Sequence, residues 1–272
     1  MELNVTDKEM EVLLKDIFEQ YGYDFNDYTK ASLTRRINRL IALDKFPSFA
    51  EFRFRLRNDP DYLKRFIEEV TVNVTEMFRD AFFYKAIREH VIPVIATKPF
   101  IRIWHAGCAT GEEVFSMAIL LKEANILHKS LLYATDINPN VVEQAGKGVF
   151  PLARMKEYSQ NYIESGGKHD FSSYYTAQYD RAIFDRELKE RMVFATHNLV
   201  SDSSFNEFQL ILCRNVLIYF DKNLQDHVFT LFDESLETLG YLALGAKETI
   251  RFSHIGKRYS QLQKDKIWQK IK

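Results

Sequence analysis

Two acidic residues follow a run of small ones in WHAGCATGEE (104–113). Gly107, Ala109 and Gly111 leave room for a ligand to approach the backbone, and Glu112 and Glu113 fall at the start of the helix that follows. A phosphate site would want exposed N–H groups and positive charge at that helix terminus. Two carboxylates repel a pyrophosphate and favour a ligand with amino, ammonium or sulfonium groups. The same residues also read as a glycine turn whose acids complement the helix dipole. Asp136 ends the apolar run LLYATD (131–136). An acid closing the second strand is the usual partner of ribose hydroxyls in nucleoside-binding sheets. Its competing role, capping the next helix, is better served by Asn138. The small-residue turn and the second-strand acid together point to an adenosine cofactor, and the acids at 112 and 113 favour S-adenosylmethionine over NAD.

Three further groups could complete such a site. In CRNVLIYF (213–220), Arg214 and Asn215 interrupt an apolar strand at its carboxyl end. A buried sheet rarely holds an arginine there without a partner. Tyr219 lies one turn on; an amphipathic core tyrosine is its plainer reading. In NVTEMFRD (73–80), Asn73, Thr75 and Arg79 stand between helical segments, either as a loop over the mouth of the sheet or as helix caps. Asn198 and Leu199 end another strand, where asparagine is also an ordinary turn former.

The elements that must position these residues follow from periodicity. Thr6 and Glu9 predict a capping box ahead of Met10, Leu13, Leu14, Ile17 and Phe18, which share a helical face. A second helix is expected over about 28–43, with Leu33, Ile37, Leu40 and Ile41 on one side and Arg35, Arg36 and Arg39 on the other. Ser48 and Glu51 open a third helix, and Leu63, Phe66, Ile67 and Val70 mark a fourth. From residue 100 onward apolar runs alternate with helical stretches: strands at 101–107, 131–137, 192–199, 208–215 and 240–246, and helices after 111, after Asn138 and over 222–239. That alternation predicts a parallel sheet with helices on both faces, with one or two extra edge strands over 260–271. Residues 151–191, rich in Tyr and Phe, are too long for a plain loop and are expected to form an inserted subdomain of small antiparallel strands. The expected division is 1–85 helical and 86–272 α/β.

Composition removes other classes. The chain has 272 residues, of which 46% are hydrophobic, with 37 Lys and Arg against 38 Asp and Glu. A chain of this length buries about three-quarters of its unfolded surface, so disorder and fibrous readings fall away. A net charge of −1 lacks the basic excess of a protein living on nucleic acid. Cys108 and Cys213 offer neither a disulfide framework nor a metal pair, which suits a reducing compartment; no metal is expected. MELNVTDKEM has no basic and apolar leader pattern, and no window reaches the roughly 18 apolar residues of a membrane span. A cytoplasmic monomer without membrane insertion or nucleic-acid partner is expected.

NVTEMFRD, IRIWHAGCATGEEVFSMAI, ATDINPNVVEQAGKGVF, HNL and ILCRNVLIYFDKNLQ, in this order and spacing, resemble the chemotaxis receptor methyltransferases of the CheR family. YTKASLTRRINRLIAL (28–43) resembles that family's N-terminal domain, so the likeness covers nearly the whole chain. It implies a Rossmann-like class I methyltransferase sheet with an N-terminal all-helical domain and a small inserted β subdomain. It implies S-adenosylmethionine as cofactor, S-adenosylhomocysteine as product and glutamate side chains of the receptors' cytoplasmic domain as acceptors. By the resemblance, Asn73, Thr75 and Arg79 belong to the linker that closes over the cofactor. Gly107 and Glu113 contact its methionine part, Asp136 its ribose, and Asn198 and Leu199 lie near its adenine. Arg214 and Asn215 are fourth-strand site residues, and Tyr219 lies near the methyl group. Arg35, Arg36 and Arg39 face the receptor, and segment 151–191 falls where some members dock a receptor tail peptide. His105 stands where a small serine is common, GAKET (245–249) replaces GHSES, and 166–185 is longer and more aromatic than usual.

The implied chemistry suits the residues. A glutamate acceptor, with a pKa of about 4.3, is already ionised at neutral pH, so no general base is required and positioning is the task. Arg79 is assigned to orienting a carboxylate and Tyr219 to shaping the methyl channel. The competing readings are the same fold acting on a different protein or carboxylate, and a non-catalytic cofactor-binding signalling module.

Overall fold

The computed structural model describes residues 4–26, 28–71, 75–262 and 265–272. Four helices come first: α1 (Asp7–Tyr21), α2 (Lys30–Leu43), α3 (Phe49–Asn58) and α4 (Pro60–Val70). Their ends are written in the sequence. Thr6 and Glu9 close the expected capping box on α1. Ser48 accepts the Glu51 N–H at 3.2 Å, and Asp59 caps α4 ahead of Pro60. Such caps are each worth about 1 kcal/mol. Leu13, Ile17, Leu33, Ile37, Phe52 and Phe66 meet in a core of these helices' own. The following helical run, α5 (Ala81–Ala86), a π-helical turn (Ile87–Val91) and α6 (Ile92–Ile95), packs into the core of the sheet instead, so the segment straddling residue 85 belongs physically with the sheet.

The α/β part proceeds through β1 (Ile101–Ala106), α7 (Glu112–Glu123), β2 (Ser130–Asp136) and α8 (Pro139–Lys147). An insertion follows: β3 (Val149–Pro151), α9 (Met155–Glu164), β4 (Tyr175–Gln178), β5 (Arg181–Phe184) and α10 (Arg186–Lys189). The chain then adds β6 (Met192–Thr196), β7 (Phe208–Cys213), α11 (Lys222–Ser235), β8 (Leu236–Leu244), β9 (Tyr259–Gln261) and β10 (Ile267–Lys270). Seven strands form one sheet in the order β6-β2-β1-β7-β8-β10-β9. All pairings are parallel except those of β10 with β8 and β9. This is the expected Rossmann-like architecture, edge strands included. Strand order reverses between β1 and β7, and ligands of such sheets bind outside the carboxyl ends at that point.

Alternation along β1 decides what each face carries. Ile101, Ile103 and His105 lie on the side of α7, whereas Trp104 and Ala106 join the cluster built with α11. The insertion holds the expected antiparallel strands, in the order β3-β5-β4. Its first half, however, is the helix α9, whose Tyr158 and Tyr162 are buried. Its aromatic residues face inward: Phe171 and Tyr162 pack on Phe78, and Phe150 and Phe184 on Phe115 of α7. Glu123 of α7 ties the insertion down, accepting from Arg88, Tyr162, Tyr174 and the Lys168 N–H. β8 starts at Leu236, earlier than the expected 240, because Leu236 pairs with Phe208 before a register shift.

Candidate active site

A cleft opens where β1 and β7 part, enclosing about 980 Å³ with its open mouth included, a size typical of small-molecule sites. Thr75, Arg79, Gly107, Glu113, Asp136, Asn198, Leu199, Arg214, Asn215 and Tyr219 all line it. Strand order brings Gly107, Asp136, Asn198 and Arg214 to one mouth, and the 75–80 loop adds Thr75 and Arg79 to it. Asn73 lies outside the described residues.

Gly107 closes β1 with φ +81°, and a Cβ there would sit 2.4 Å from Val216 Cγ2. The backbone turns at this point because the Gly107 and Cys108 N–H groups both donate to the Thr135 carbonyl, at 2.8 and 2.9 Å. Gly107→Ala is expected to weaken cofactor binding at least tenfold and to cost about 1–2 kcal/mol of stability through the left-handed φ and the clash. Adding Val216→Ala should restore only part of both, since it removes the clash and leaves the strain. Calorimetry and thermal melting of the single and double variants check this.

Glu113 is anchored at both oxygens. Its Oε1 accepts from His105 Nδ1 at 2.9 Å and its Oε2 from Arg214 Nη1 at 3.1 Å. Burial pushes its carboxyl up, but the His105 hydrogen bond and the Arg214 charge outweigh burial and hold it below the usual range. Glu112 points elsewhere. It accepts from Thr110 at 2.6 Å and from Tyr158 at 3.4 Å, beside the insertion. The expectation that both acids face the ligand is therefore corrected to Glu113 alone: neighbouring helix residues point about 100° apart.

Asp136 is buried at the end of β2. One oxygen accepts the Ala109 N–H and the other the Asn138 N–H, each at 3.0 Å. A carboxylate has about four acceptor positions, so these backbone donors leave room for a hydroxyl donor from the cleft. Burial raises its pKa, only partly offset by those backbone donors. Asn138 caps α8 through the Asn140 N–H at 3.0 Å, which leaves Asp136 free of that duty.

Arg214 follows β7 and is 3% exposed in its side chain. Besides Glu113, its Nη2 donates to Asp80 Oδ2 at 2.7 Å and to the Arg79 carbonyl at 3.0 Å. Its guanidinium stacks on Phe83 at 4.0 Å. It thereby clamps the 75–80 loop to α7. Phe78 and Asp80 both adopt positive φ in that loop, and the Phe78 N–H donates to Ser116 Oγ at 2.9 Å. Asn215 is also left-handed, φ 63°, held by its N–H to Glu248 Oε2 at 3.0 Å. Asn198 Oδ1 accepts the Val200 N–H at 3.0 Å, the turn-forming reading, while lining the cleft.

The helical domain contributes to the cleft wall. Tyr28 lines the cleft, pairs with Phe220 across a single β-bridge and packs edge-on to it at 4.9 Å. The Thr29 N–H donates to the Tyr219 carbonyl at 2.9 Å. Arg36 departs from the expected exposed trio: it is half-buried, donates to the Glu69 carbonyl at 3.2 Å and lies 5.9 Å from the Tyr219 ring. Arg35 and Arg39 are exposed, Arg39 pairing with Glu69 at 3.3 Å. Tyr28 and His197, also in the cleft wall, are not among the site residues expected from the sequence; their places as the first residues of YTKASLTRRINRLIAL and HNL are the signal available.

This donor set fits S-adenosylmethionine. Gly107 gives a backbone cradle that any Cβ would fill. Glu113 offers an ionised carboxylate to an ammonium group, and Asp136 offers free acceptor positions to ribose hydroxyls. Tyr28, Ile137, Leu199 and Phe220 give apolar walls for a base. The Arg214 guanidinium, committed to Glu113, Asp80 and the Arg79 carbonyl, is not a phosphate cradle.

Comparison with known proteins agrees. Residues 73–267 match the family described as CheR methyltransferase, SAM binding domain, and residues 8–71 match CheR methyltransferase, all-alpha domain. The chain is 45% identical over 261 residues to the protein named "Putative methyltransferase Cher3" of Pseudomonas putida, covering 95% of each. It is 28% identical over 282 residues to the chemotaxis protein methyltransferase of Salmonella typhimurium, covering 97% of this chain and 93% of that one. With that of Borreliella burgdorferi it shares 27% identity over 266 residues, covering 92% and 91%. Among the described residues no helix is long and apolar enough to cross a membrane. With its cleft built for a sulfonium nucleoside and both domains matched, the chain belongs to the CheR methyltransferase family and is an S-adenosylmethionine-dependent methyltransferase.

Proposed function

We propose that the protein methylates glutamate side chains in the cytoplasmic domain of chemotaxis receptors, as a cytoplasmic enzyme of sensory adaptation. The observation that carries this reading is the set of arginines beside Tyr219 at the mouth of the cleft. Arg36 lies 5.9 Å from the Tyr219 ring, Arg79 lines the cleft together with Glu76, and Arg35 and Arg39 border a neighbouring groove with Lys30, Lys45 and Asp7. Arginines placed beside the methyl channel suit an acidic acceptor.

Bound S-adenosylmethionine supplies an electrophilic methyl group on a sulfonium. The chain's own residues hold and orient. Glu113 and Asp136 would hold the cofactor's polar ends, Asn198 and Leu199 would flank its base, and Thr75 and Arg79 stand in the loop beside the mouth; Asn73, assigned to the same segment by resemblance, lies outside the described residues. Arg79 orients the incoming carboxylate, and Tyr219 shapes the channel it enters. An ionised carboxylate needs no proton removed, so no base is asked of the cleft. His197, the imidazole among its described lining residues, packs edge-on to Trp104, with Nε2 3.4 Å from the Ser203 carbonyl. A weak electrostatic hold on the acceptor is preferable to a tight ion pair, which would stabilise the ground state.

The test is transfer of radiolabelled methyl groups to receptor cytoplasmic fragments, followed by alkaline treatment. Methyl esters release volatile methanol, whereas N-methyl groups do not. Label that resists alkali, or no label on receptor fragments from a protein that binds the cofactor, would redirect the search to another acceptor or to a non-catalytic role. Arg35→Glu/Arg39→Glu should slow transfer about tenfold at low salt and flatten its salt dependence, with cofactor affinity unchanged. Equal rates for wild type and variant would return that face to ordinary surface.

A further inference from the structure

His105 is fully buried on β1, yet it is a polar residue on a strand face otherwise occupied by Ile101 and Ile103. Its Nδ1 meets Glu113 Oε1 at 2.9 Å, and its Nε2 has no polar partner among the described residues. A buried ring nitrogen left unpaired is unfavourable, and an apolar side chain at this position would avoid it. The imidazole therefore needs a compensating role, and its one polar contact is Glu113.

We propose that His105 is a positioning residue for cofactor recognition: it locks the Glu113 carboxylate in the orientation that receives the α-ammonium group of the cofactor's methionine end. This rests on the assignment of Glu113 to that end. The physical reason is torsional. The last torsion of a glutamate is broad and poorly fixed by its own rotamer preferences. Arg214 alone holds one oxygen and leaves the carboxylate free to swivel about it. A second donor on the other oxygen removes that freedom, and the acceptor positions left over face the cleft. A carboxylate only accepts, so the shared hydrogen resides on Nδ1. The strand period places His105 beneath α7, and Glu113 is the second residue of that helix, so two short elements fix the pair without any loop. His105 itself does not line the cleft; it acts through Glu113.

The experiment compares two ligands that differ at the methionine end. S-adenosylhomocysteine carries the amino acid, and 5′-methylthioadenosine lacks it. Calorimetry with the full chain is run for wild type, His105→Leu, His105→Asn and Glu113→Gln. His105→Leu should bind S-adenosylhomocysteine about tenfold more weakly, the scale of one charge-assisted hydrogen bond, with methylthioadenosine affinity unchanged. His105→Asn places an amide N–H near the position of Nδ1 and should recover most of the loss. Unchanged S-adenosylhomocysteine affinity in His105→Leu, or parallel loss of both ligands, would overturn the proposal in favour of a packing role. Glu113→Gln separates the two levels. If it loses the preference for S-adenosylhomocysteine while His105→Leu keeps it, only the role of His105 fails. If it keeps that preference, the assignment of Glu113 fails and takes the role of His105 with it.

Discussion

Arg214→Met is expected to reduce methyl transfer below a hundredth of wild type and to lower the melting temperature by roughly 6–12 °C. The side chain is almost wholly buried and serves three acceptors: Glu113 Oε2, Asp80 Oδ2 and the Arg79 carbonyl. Removing one partner of a buried pair leaves the other charge uncompensated, which costs about 3–5 kcal/mol. Here Glu113 would retain only the His105 hydrogen bond. The functional loss follows from the second connection. Arg214 links the 75–80 loop, with its left-handed Phe78 and Asp80, to the helix that carries Glu113. Without the clamp, Arg79 and Thr75 lose their fixed place over the cleft. Arg214→Lys separates charge from geometry: a lysine keeps the positive charge but cannot present a planar fork to several acceptors at once. It should recover much of the stability and little of the turnover. A lysine variant with wild-type turnover would show that charge alone suffices there.

The legibility of this protein divides along physical lines. What depended on local pattern could be read directly: the caps at Thr6 and Ser48, the amphipathic faces of α1 to α4, the apolar strands and the small-residue turn at Gly107. The parallel sheet followed from alternation, and the sheet's switch point then explained why Gly107, Asp136 and Arg214 share one cleft. What depended on side-chain direction could not be read. Glu112 and Glu113 are adjacent and identical, yet one faces the insertion and the other the cleft. Arg36 sits in RRINR between exposed Arg35 and buried Ile37, and helical rotation turns it toward Tyr219. Tyr28 carries no chemical signature and reaches the cleft only because the two domains touch at Thr29 and Tyr219. The sequence marks 166–185 as unusually aromatic without saying which way those rings face; Phe171, Tyr174 and Phe184 bury themselves against α7 and the 75–80 loop. Helix α9 was hidden because its apolar positions, Met155, Tyr158 and Tyr162, are few and mostly aromatic, a pattern as compatible with strand as with helix.

Asp136→Asn is expected to weaken S-adenosylmethionine binding about a hundredfold, because two hydrogen bonds to a charged acceptor, each worth about 1.5–3 kcal/mol, lose that charge. Asparagine nearly preserves the volume and its one oxygen still accepts one of the two backbone N–H groups of Ala109 and Asn138, leaving the other facing its NH2, whereas Asp136→Ala would orphan both. The pH dependence gives a second, independent reading of the same residue. Burial raises the Asp136 pKa from its ordinary value, whereas the His105 hydrogen bond and the Arg214 charge hold that of Glu113 below its own. Asp136 therefore takes up its proton at a higher pH than an exposed aspartate does. Hydroxyl donors bind the ionised form better, so cofactor binding lowers the Asp136 pKa, and by linkage affinity must fall as pH drops through the raised value of the free protein. Affinity should be flat at higher pH and decline on the acid side before any unfolding. Asp136→Asn should be weak throughout and lack that acid limb. Calorimetric affinities of wild type and variant across this pH range measure it. An acid limb that persists in the variant would transfer the titration to another group, and an unchanged affinity would remove Asp136 from the ribose site.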